Sequence, residues 1–186
     1  MSRFNFTNLS LDGLKRVERQ PIEDSRGSFV RIFCDNELKS IGWDKFIVQI
    51  NLSHTKSKGM IRGLHFQRPP YAEKKLVSCT LGEVWDVAVD LRANSKTFLQ
   101  WHAEILSGKN GYSLLIPEGF AHGFQALSDE VEMLYLHSED YQPTSESGLN
   151  PNDPMLNIPW PLEVLDLSLR DKEHPFLNSE FTGMVF

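Results

Sequence analysis

Apolar and polar side chains alternate along many short stretches of this chain, and turn-forming residues separate the stretches. Residues 76–81 end at Gly82, and residues 84–91 continue the alternation beyond it. Residues 112–116 follow the turn cluster at residues 107–111. Similar stretches cover residues 29–33, 46–50, 99–106 and 131–136. Short alternating runs at roughly ten-residue spacing, ended by Gly, Pro, Asn or Asp, are typical of β-sandwiches and barrels. The sequence therefore predicts an all-β fold.

The length of the chain, 186 residues, suits one domain with its own hydrophobic core. No repeat or linker divides residues 12–165, so we expect a single domain over residues 1–186. Residues 37–41 are predicted to form one short helix. Pro, Asn, Ser and Asp dominate from Tyr141 onward. We expect this tail, and above all residues 165–186, to wrap the barrel with little regular structure.

The charge and hydropathy of the chain indicate where it works and what it does not bind. The net charge of −6 argues against a nucleic-acid surface. No stretch approaches the roughly 20 apolar residues of a membrane span, and the first residues lack the apolar run of a signal peptide. Cys34 and Cys79 lie far apart without a paired-cysteine motif, as free thiols in a reducing cytosol do. We expect a cytoplasmic protein that binds neither nucleic acid nor membrane.

A group of cations interrupts this acidic background. Such a group is either a solvated face or an anion site in a cleft, where the local field overrides the overall charge. Composition does not choose between the two. The cations are Lys56, Lys58, Arg62, Arg68, Lys74 and Lys75.

Two segments place a histidine at the end of a β-type run beside glycine. His65 lies in residues 59–67, and His122 ends residues 111–122. The second segment has cupin spacing: a glycine, five residues, Pro-x-Gly, two residues and a histidine. Glycine permits a tight backbone there, and proline fixes the turn. The two segments resemble the paired motifs of a cupin barrel, so we expect both histidines to face one pocket.

The surroundings of His65 lack the usual ligands of a metal-binding cupin. Most such cupins carry His-x-His and a glutamate in the first motif, whereas this chain has Gln67, and Glu73 offers no replacement. Amides are poor ligands for transition metals, which prefer imidazole or thiolate. His65 and His122 alone would supply two ligands, so we expect a metal-free pocket. For either histidine taken alone, a hydrogen-bonded core residue is the simpler interpretation.

Six motifs occur in order over roughly residues 12–175. They are Arg62-Gly-Leu-His65-Phe-Gln67, Lys75-Leu, Gly82-Glu-Val-Trp-Asp-Val-Ala-Val-Asp90, Ile116-Pro-Glu-Gly-Phe-Ala-His122-Gly-Phe, Met133-Leu-Tyr135, and Tyr141-x-Pro-x-x-Glu146-x-Gly, which continues to Asn152-Asp-Pro and Ile158-Pro-Trp-Pro161. Together they resemble the dTDP-4-dehydrorhamnose 3,5-epimerase family. The resemblance implies a cupin-type (jelly-roll) β-barrel that inverts C3, C5 or both of a 4-keto-6-deoxy sugar nucleotide. It implies neither a metal nor a nicotinamide cofactor.

The resemblance also implies the catalytic roles. His65 is the base, Asp171 its orienting partner and Tyr135 the acid. Lys75 and His122 face the keto oxygen. A hydrogen α to a ketone is a far weaker acid than imidazolium, so the base needs a donor that stabilises the enolate.

For the nucleotide, the resemblance points to six further residues. An arginine fork suits a diphosphate because it binds two oxygens at once. In this family the residue matching Arg26 often reaches into the neighbouring subunit's site, which implies a homodimer. The six residues are Arg26, Gln49, Asn51, Arg62, Glu146 and Arg170.

Three departures from the family lie at the substrate-binding end. Arg31 stands where an acid is usual, Arg170 stands where lysine is usual, and the segment from Asn51 to Arg62 is one residue longer. The nucleotide base (dTDP, CDP or GDP), the sugar and inversion at one carbon or both therefore stay open. The other hypotheses are a metal-dependent cupin enzyme and a non-catalytic sugar-nucleotide binding protein.

Overall fold

The computed structural model describes residues 2–186, which form thirteen β-strands and two short helices. The strands are β1 (Phe4–Asn8), β2 (Lys15–Arg19), β3 (Ile22–Asp24), β4 (Gly27–Phe29), β5 (Gln49–Thr55), β6 (Ile61–Gln67), β7 (Lys75–Leu81), β8 (Glu83–Asp90), β9 (Trp101–Ser107), β10 (Tyr112–Ile116), β11 (Phe120–Ala126), β12 (Val131–His137) and β13 (Glu146–Gly148). The helices are α1 (Asp35–Lys39) and α2 (Leu169–Glu173). Neither is long and apolar enough to cross a membrane.

Two antiparallel sheets pack face to face and form the barrel. The first has six strands in the order β1-β2-β10-β7-β12-β5, and the second has five in the order β13-β6-β11-β8-β9. Strands β3 and β4 pair as a separate hairpin. The core between the sheets joins Val77 and Met133 of the first to Ala88 and Phe124 of the second. The predicted all-β, cupin-type fold is confirmed.

The outer face of the six-stranded sheet is also covered. Leu76, Leu115 and Leu136 point away from the barrel interior and pack against Leu38 of α1 and Trp43. Strand β7 is therefore buried on both faces from Lys75 to Cys79.

The outer face of the five-stranded sheet is covered by the C-terminal part of the chain. Leu64 of β6 and Val87 of β8 pack in one cluster with Leu177 and Met184. This contact brings the segment that carries α2 against the strand that carries His65. The single domain over residues 1–186 stays a prediction, and its first residue lies outside the described part.

Several elements differ from their predicted positions. The predicted short helix is α1, which begins at Asp35. The stretch 29–33 is strand only at Phe29, and most of the stretch 46–50 precedes β5. Phe29 and Phe46 are 71% and 89% exposed. Phe33 and Ile47 pack against the outer face of the six-stranded sheet, but neither lies in a strand. In the tail, β13 and α2 form within a region predicted to have little regular structure.

Strands β6 and β11 approach closely at two glycines. A Cβ at Gly63 would lie 2.6 Å from Gly123 Cα and 2.8 Å from the His122 carbonyl oxygen. A Cβ at Gly123 would lie 2.6 Å from the Arg62 carbonyl oxygen. The φ of Gly63 is +119°, a region that favours glycine. His65 and His122 are register partners on these strands, so this contact fixes how the two histidines are spaced.

Replacing Gly63 with alanine should therefore destabilise the protein strongly. We expect Gly63→Ala to lower the free energy of unfolding by roughly 2–5 kcal/mol, because the unfavourable φ and the clash with β11 add. Gly42→Ala is the matched control, since Gly42 has φ +111° and nothing within 4 Å of its Cβ position. The control should lose only about 1–2 kcal/mol. Equal losses in urea denaturation would show that β6 and β11 do not restrict this position.

Candidate active site

A cavity of about 640 Å³ opens between the two sheets, a volume typical of small-molecule sites. Its walls come from β5, β7 and β12 on one side, from β6 and β11 on the other, and from residues around α2. Nine of the eleven predicted site residues line it: Asn51, Arg62, His65, Lys75, His122, Tyr135, Glu146, Arg170 and Asp171. Arg26 and Gln49 are not among the lining residues.

His65 is held by Asp171 of α2. The distance from His65 Nε2 to Asp171 Oδ1 is 2.6 Å. Asp171 is itself fixed, because its backbone N–H donates to Ser168 Oγ at 3.1 Å and Gly63 N–H donates to its Oδ2 at 3.4 Å. A carboxylate only accepts, so Nε2 carries the proton and Nδ1 of His65 is the basic nitrogen. His65 and Asp171 are 106 residues apart in the sequence. They meet because the C-terminal segment packs against the sheet that carries His65.

The ionisation of Asp171 depends on this pair. Burial alone would raise the pKa of the Asp171 carboxyl, but the hydrogen bond and charge of His65 and the Gly63 N–H outweigh it. The pKa therefore lies below its usual value, and the carboxylate is ionised at neutral pH. An ionised partner stabilises the imidazolium that forms when His65 takes up a proton.

His122 faces a different carboxylate. Its Nε2 lies 2.8 and 3.0 Å from the two carboxylate oxygens of Asp86 on the neighbouring strand β8. Asp86 is fully buried, and desolvation raises its pKa against the opposing effects of His122 and Lys75. Asp86 was not predicted as a site residue. Its place inside the matching motif of residues 82–90 is the signal that could have identified it.

Tyr135 lies on β12, across the cavity from His65. Its hydroxyl is 3.1 Å from Ser53 Oγ, and its ring contacts the ring of His122 edge-on at a centroid distance of 6.1 Å. Burial raises the pKa of the Tyr135 phenol well above its usual value. The phenol therefore keeps its proton at neutral pH and can donate it.

Lys75 belongs to a buried polar cluster that sequence reasoning missed. Its Nζ is 3.0 Å from Glu73 Oε1, and the other carboxylate oxygen of Glu73 is 2.7 Å from His137 Nδ1. Burial raises the pKa of Glu73, but Lys75 and His137 more than compensate, so the pKa lies below its usual value. Glu73 had been considered only as a metal ligand. The pairing of Lys75 with His137 in the β7–β12 register is what brings the cluster together.

Cationic and hydrogen-bonding groups line the mouth of the cavity. Arg62 is anchored on β5, donating from Nε to Thr55 Oγ1 at 2.8 Å and from Nη2 to a backbone carbonyl at 2.8 Å. Arg170 Nη1 donates to Glu146 at 2.8 Å, and the Tyr141 hydroxyl donates to the same carboxylate at 2.6 Å. Tyr141 is a further lining residue that was not predicted. Arg62, Glu146 and Arg170, three of the residues predicted to bind the nucleotide, thus line one cavity, and their role in binding stays a prediction.

The two remaining predicted residues lie elsewhere. Arg26 is highly exposed on the β3–β4 hairpin, where it forms an ion pair of 2.6 Å with Asp24. Gln49 supports the wall indirectly, since its Nε2 donates to Asn51 Oδ1 at 3.1 Å and its Oε1 accepts from Tyr141 N–H at 3.1 Å. Both roles stay predictions.

Residues 2–186 contain one group of potential metal ligands, beside the cavity. His65, Asp171 and His174 bring ligand atoms within 4.8 Å of one another. However, Arg170 Nη2 lies 3.2 Å from His65 Nε2. A guanidinium already occupies the position beside this ligand, and a divalent cation there would meet its charge. The site could hold a metal only if Arg170 moved away.

Asp171→Asn should lose a pH-dependent part of the stability. Because the folded-state pKa of Asp171 is lowered, its ionisation stabilises the fold above the unfolded-state pKa, and this stabilisation is lost as pH falls through the folded-state pKa. At pH 7 we expect the free energy of unfolding of the variant to be lower than that of the wild type, by on the order of 1–3 kcal/mol. The difference should shrink as the pH falls towards 3. A difference that stays constant from pH 7 to pH 3 in denaturant titrations would contradict the ion pair.

Known proteins resemble this chain over most of its length. A family model described as dTDP-4-dehydrorhamnose 3,5-epimerase matches residues 8–179. The chain is 44% identical to the dTDP-4-dehydrorhamnose 3,5-epimerase of Methanothermobacter thermautotrophicus over 166 residues, 89% of each chain. It is 37% identical to a dTDP-4-dehydrorhamnose 3-epimerase of Streptomyces niveus, over 89% of this chain and 80% of the relative.

Among solved structures, the fold is similar to that of dTDP-6-deoxy-D-glucose-3,5-epimerase from Legionella pneumophila in complex with dTDP-4-keto-L-rhamnose. The TM-score is 0.92 at 40% identity, and the match covers 98% of both chains. The resemblance found in the motifs is thus confirmed over nearly the whole length. The chain belongs to the dTDP-4-dehydrorhamnose 3,5-epimerase family and is a sugar-nucleotide epimerase.

Proposed function

We propose that this chain inverts C3 and C5 of dTDP-4-dehydro-6-deoxyglucose and so forms dTDP-4-dehydrorhamnose. The observation that carries the proposal is the arrangement of one base and one acid on opposite walls of a single cavity. His65, paired with Asp171, lies on the five-stranded sheet, and Tyr135 lies on the six-stranded sheet. The names of the relatives support the substrate class and the nucleotide.

In the first step, His65 Nδ1 removes the proton from the carbon beside the ketone. General base catalysis contributes about 10²–10⁴-fold, or roughly 3–5 kcal/mol. One preorganised donor to the enolate oxygen adds about 3–4 kcal/mol. We assign these donors to Lys75 and His122, because both line the cavity. Since His122 Nε2 faces Asp86, His122 donates to the enolate oxygen from Nδ1 in its imidazolium form. The base and the donors are therefore needed together.

In the second step, Tyr135 returns a proton to the opposite face of the carbon. Inversion requires a second group, because a proton returned by His65 restores the original configuration. The raised pKa of Tyr135 keeps the phenol protonated and ready to donate. No cofactor enters either step, and the absence of one stays a prediction.

For the nucleotide, we propose that Asn51, Arg62, Glu146 and Arg170 bind the base and the diphosphate, with Gln49 orienting Asn51. Arg26 would act in the cavity of a second copy, because its own cavity does not include it. The exposed apolar residues Ile50 and Leu52 on the edge strand β5 support such a homodimer. A cytoplasmic location stays a prediction.

A mono-epimerase is the second candidate. The 3-epimerase of Streptomyces niveus shares 37% identity with this chain, so the family accommodates inversion at a single carbon. CDP and GDP are the alternative carriers. Calorimetric titration with dTDP, CDP and GDP compares the carriers directly, and we expect dTDP to bind most tightly.

Mutation of His65 and of Tyr135 should affect different steps, the removal of the proton and its return. His65→Asn should lower the exchange of substrate hydrogen with D₂O by at least about 10²-fold, because the base is removed. Tyr135→Phe should keep measurable exchange but form little inverted sugar, because the proton returns from the wrong face. NMR of the C3 and C5 hydrogens measures both quantities in one sample.

His102→Asn and Tyr112→Phe are the matched controls, since neither residue lines the cavity. Both should retain wild-type exchange and inversion. Full exchange in His65→Asn would show that the base is misassigned. Inversion at wild-type rate in Tyr135→Phe would assign the acid to another residue.

A further inference from the structure

We propose that Glu73 and His137 are positioning residues that hold the Lys75 ammonium towards the keto oxygen of the substrate. The inference rests on the proposed function, because it assigns these residues to the stabilisation of the enolate. Neither residue belongs to the base–acid pair, and both line the cavity. The pair would set the rate of proton removal without itself touching the reacting atoms.

The three side chains form a closed, nearly dry group. Lys75 begins β7, His137 ends β12, and the two are register partners, while Glu73 precedes β7 in the connecting segment. The side chains of Lys75, Glu73 and His137 are only 10%, 9% and 11% exposed. At this burial, a polar or charged group without a hydrogen-bond partner costs free energy of folding. The three side chains therefore hold one defined geometry.

Lys75 has three N–H donors, and the protein occupies two directions. One points to Glu73 Oε1 at 3.0 Å, and a weaker contact runs to the His65 carbonyl oxygen at 3.5 Å. The third donor is left for a ligand in the cavity. A lysine has a long flexible stem, so without a fixed anion its ammonium would sample several positions. Donors held in place before the reaction give the largest stabilisation of a developing oxyanion.

His137 fixes the carboxylate that fixes Lys75. Its Nδ1 lies 2.7 Å from Glu73 Oε2, and because the carboxylate only accepts, Nδ1 is the donor. Its Nε2 faces Asn51 Nδ2 at 3.4 Å, and its ring stacks on Tyr135 at a centroid distance of 6.1 Å. Both oxygens of Glu73 are thus occupied, one by a cation and one by a ring held between two site residues. The carboxylate cannot turn towards the substrate.

The alternative is that Glu73 only stabilises the wall of the barrel. A structural role would lower stability and substrate binding, and its effect would not depend on whether Lys75 is present. A positioning role would lower the rate of exchange at saturating substrate, and its effect would vanish once Lys75 is removed. A double-mutant cycle separates the two.

The experiment uses Glu73→Gln, Lys75→Met and the double variant in the full chain, with dTDP-4-dehydro-6-deoxyglucose in D₂O. We expect Glu73→Gln to lower kcat for exchange by about 10–100-fold, as for a misplaced catalytic group, with KM and the Kd for dTDP changed less than about 2-fold. Lys75→Met should lose about 10²–10³-fold. The double variant should be no slower than Lys75→Met alone. Wild-type kcat in Glu73→Gln, or the same loss from Glu73→Gln in both backgrounds, would overturn the inference.

His137 is tested by a conservative rescue. Asparagine places an N–H donor near the position of Nδ1, so His137→Asn should keep kcat within about 3-fold of wild type, whereas His137→Leu should fall as Glu73→Gln does. Equal kcat values for the two variants would remove His137 from the proposal. Circular dichroism confirms that each variant is folded. If the wild type exchanges and Glu73→Gln exchanges at the same rate, only the role of Glu73 is rejected. If the wild type does not exchange, the proposed function is rejected as well.

Discussion

A hydrogen bond of 2.6 Å between His65 and Asp171 joins two parts of the chain that fold as different layers. His65 belongs to a barrel strand, and Asp171 belongs to the C-terminal segment that packs on the outside of the same sheet. His65, the proposed base, is therefore oriented by Asp171 only when the C-terminal segment is packed against the sheet. This dependence explains why a segment with little regular structure is nevertheless packed through Leu177 and Met184.

Histidine–carboxylate pairs occur at three places around the cavity. Three lining histidines each have one ring nitrogen within hydrogen-bond distance of a buried carboxylate, which fixes the tautomer and the ring orientation. The pairs are His65–Asp171, His122–Asp86 and His137–Glu73. The three pairs differ in what lies beside them: a guanidinium, a phenol and an ammonium, respectively. The same arrangement thus occurs at the proposed base, at the histidine proposed to face the keto oxygen and at the histidine proposed to hold Lys75 through Glu73.

Much of the barrel could be predicted because strand periodicity reports burial directly. Strands β7, β8, β9, β10 and β12 lie where alternation placed them. The prediction failed over residues 30–33 and 46–48, which form no strand. Phe29 and Phe46 at the start of the two predicted stretches are exposed, and periodicity cannot distinguish a buried apolar face from an exposed one. The hairpin and the edge strand β5 that carry or follow these residues are the surfaces on which the proposed homodimer depends.

The candidate site was predictable to a different degree at each residue. His65 and His122 follow from motif spacing, but their carboxylate partners depend on register and tail docking, which no local pattern encodes. Asp171 was found only through the family resemblance. Glu73 and His137 were missed because each is unremarkable in its own segment, and only the pairing of β7 with β12 makes them neighbours. Arg26 illustrates the opposite case, a residue whose predicted role requires a second chain.

The most direct test of the account is to incubate the wild-type protein, dialysed against a chelator, with dTDP-4-dehydro-6-deoxyglucose in D₂O and to follow C3 and C5 by NMR. We expect deuterium at both carbons, at a rate that added divalent metal does not increase. Deuterium at neither carbon, or exchange only after a transition metal is restored, would contradict it.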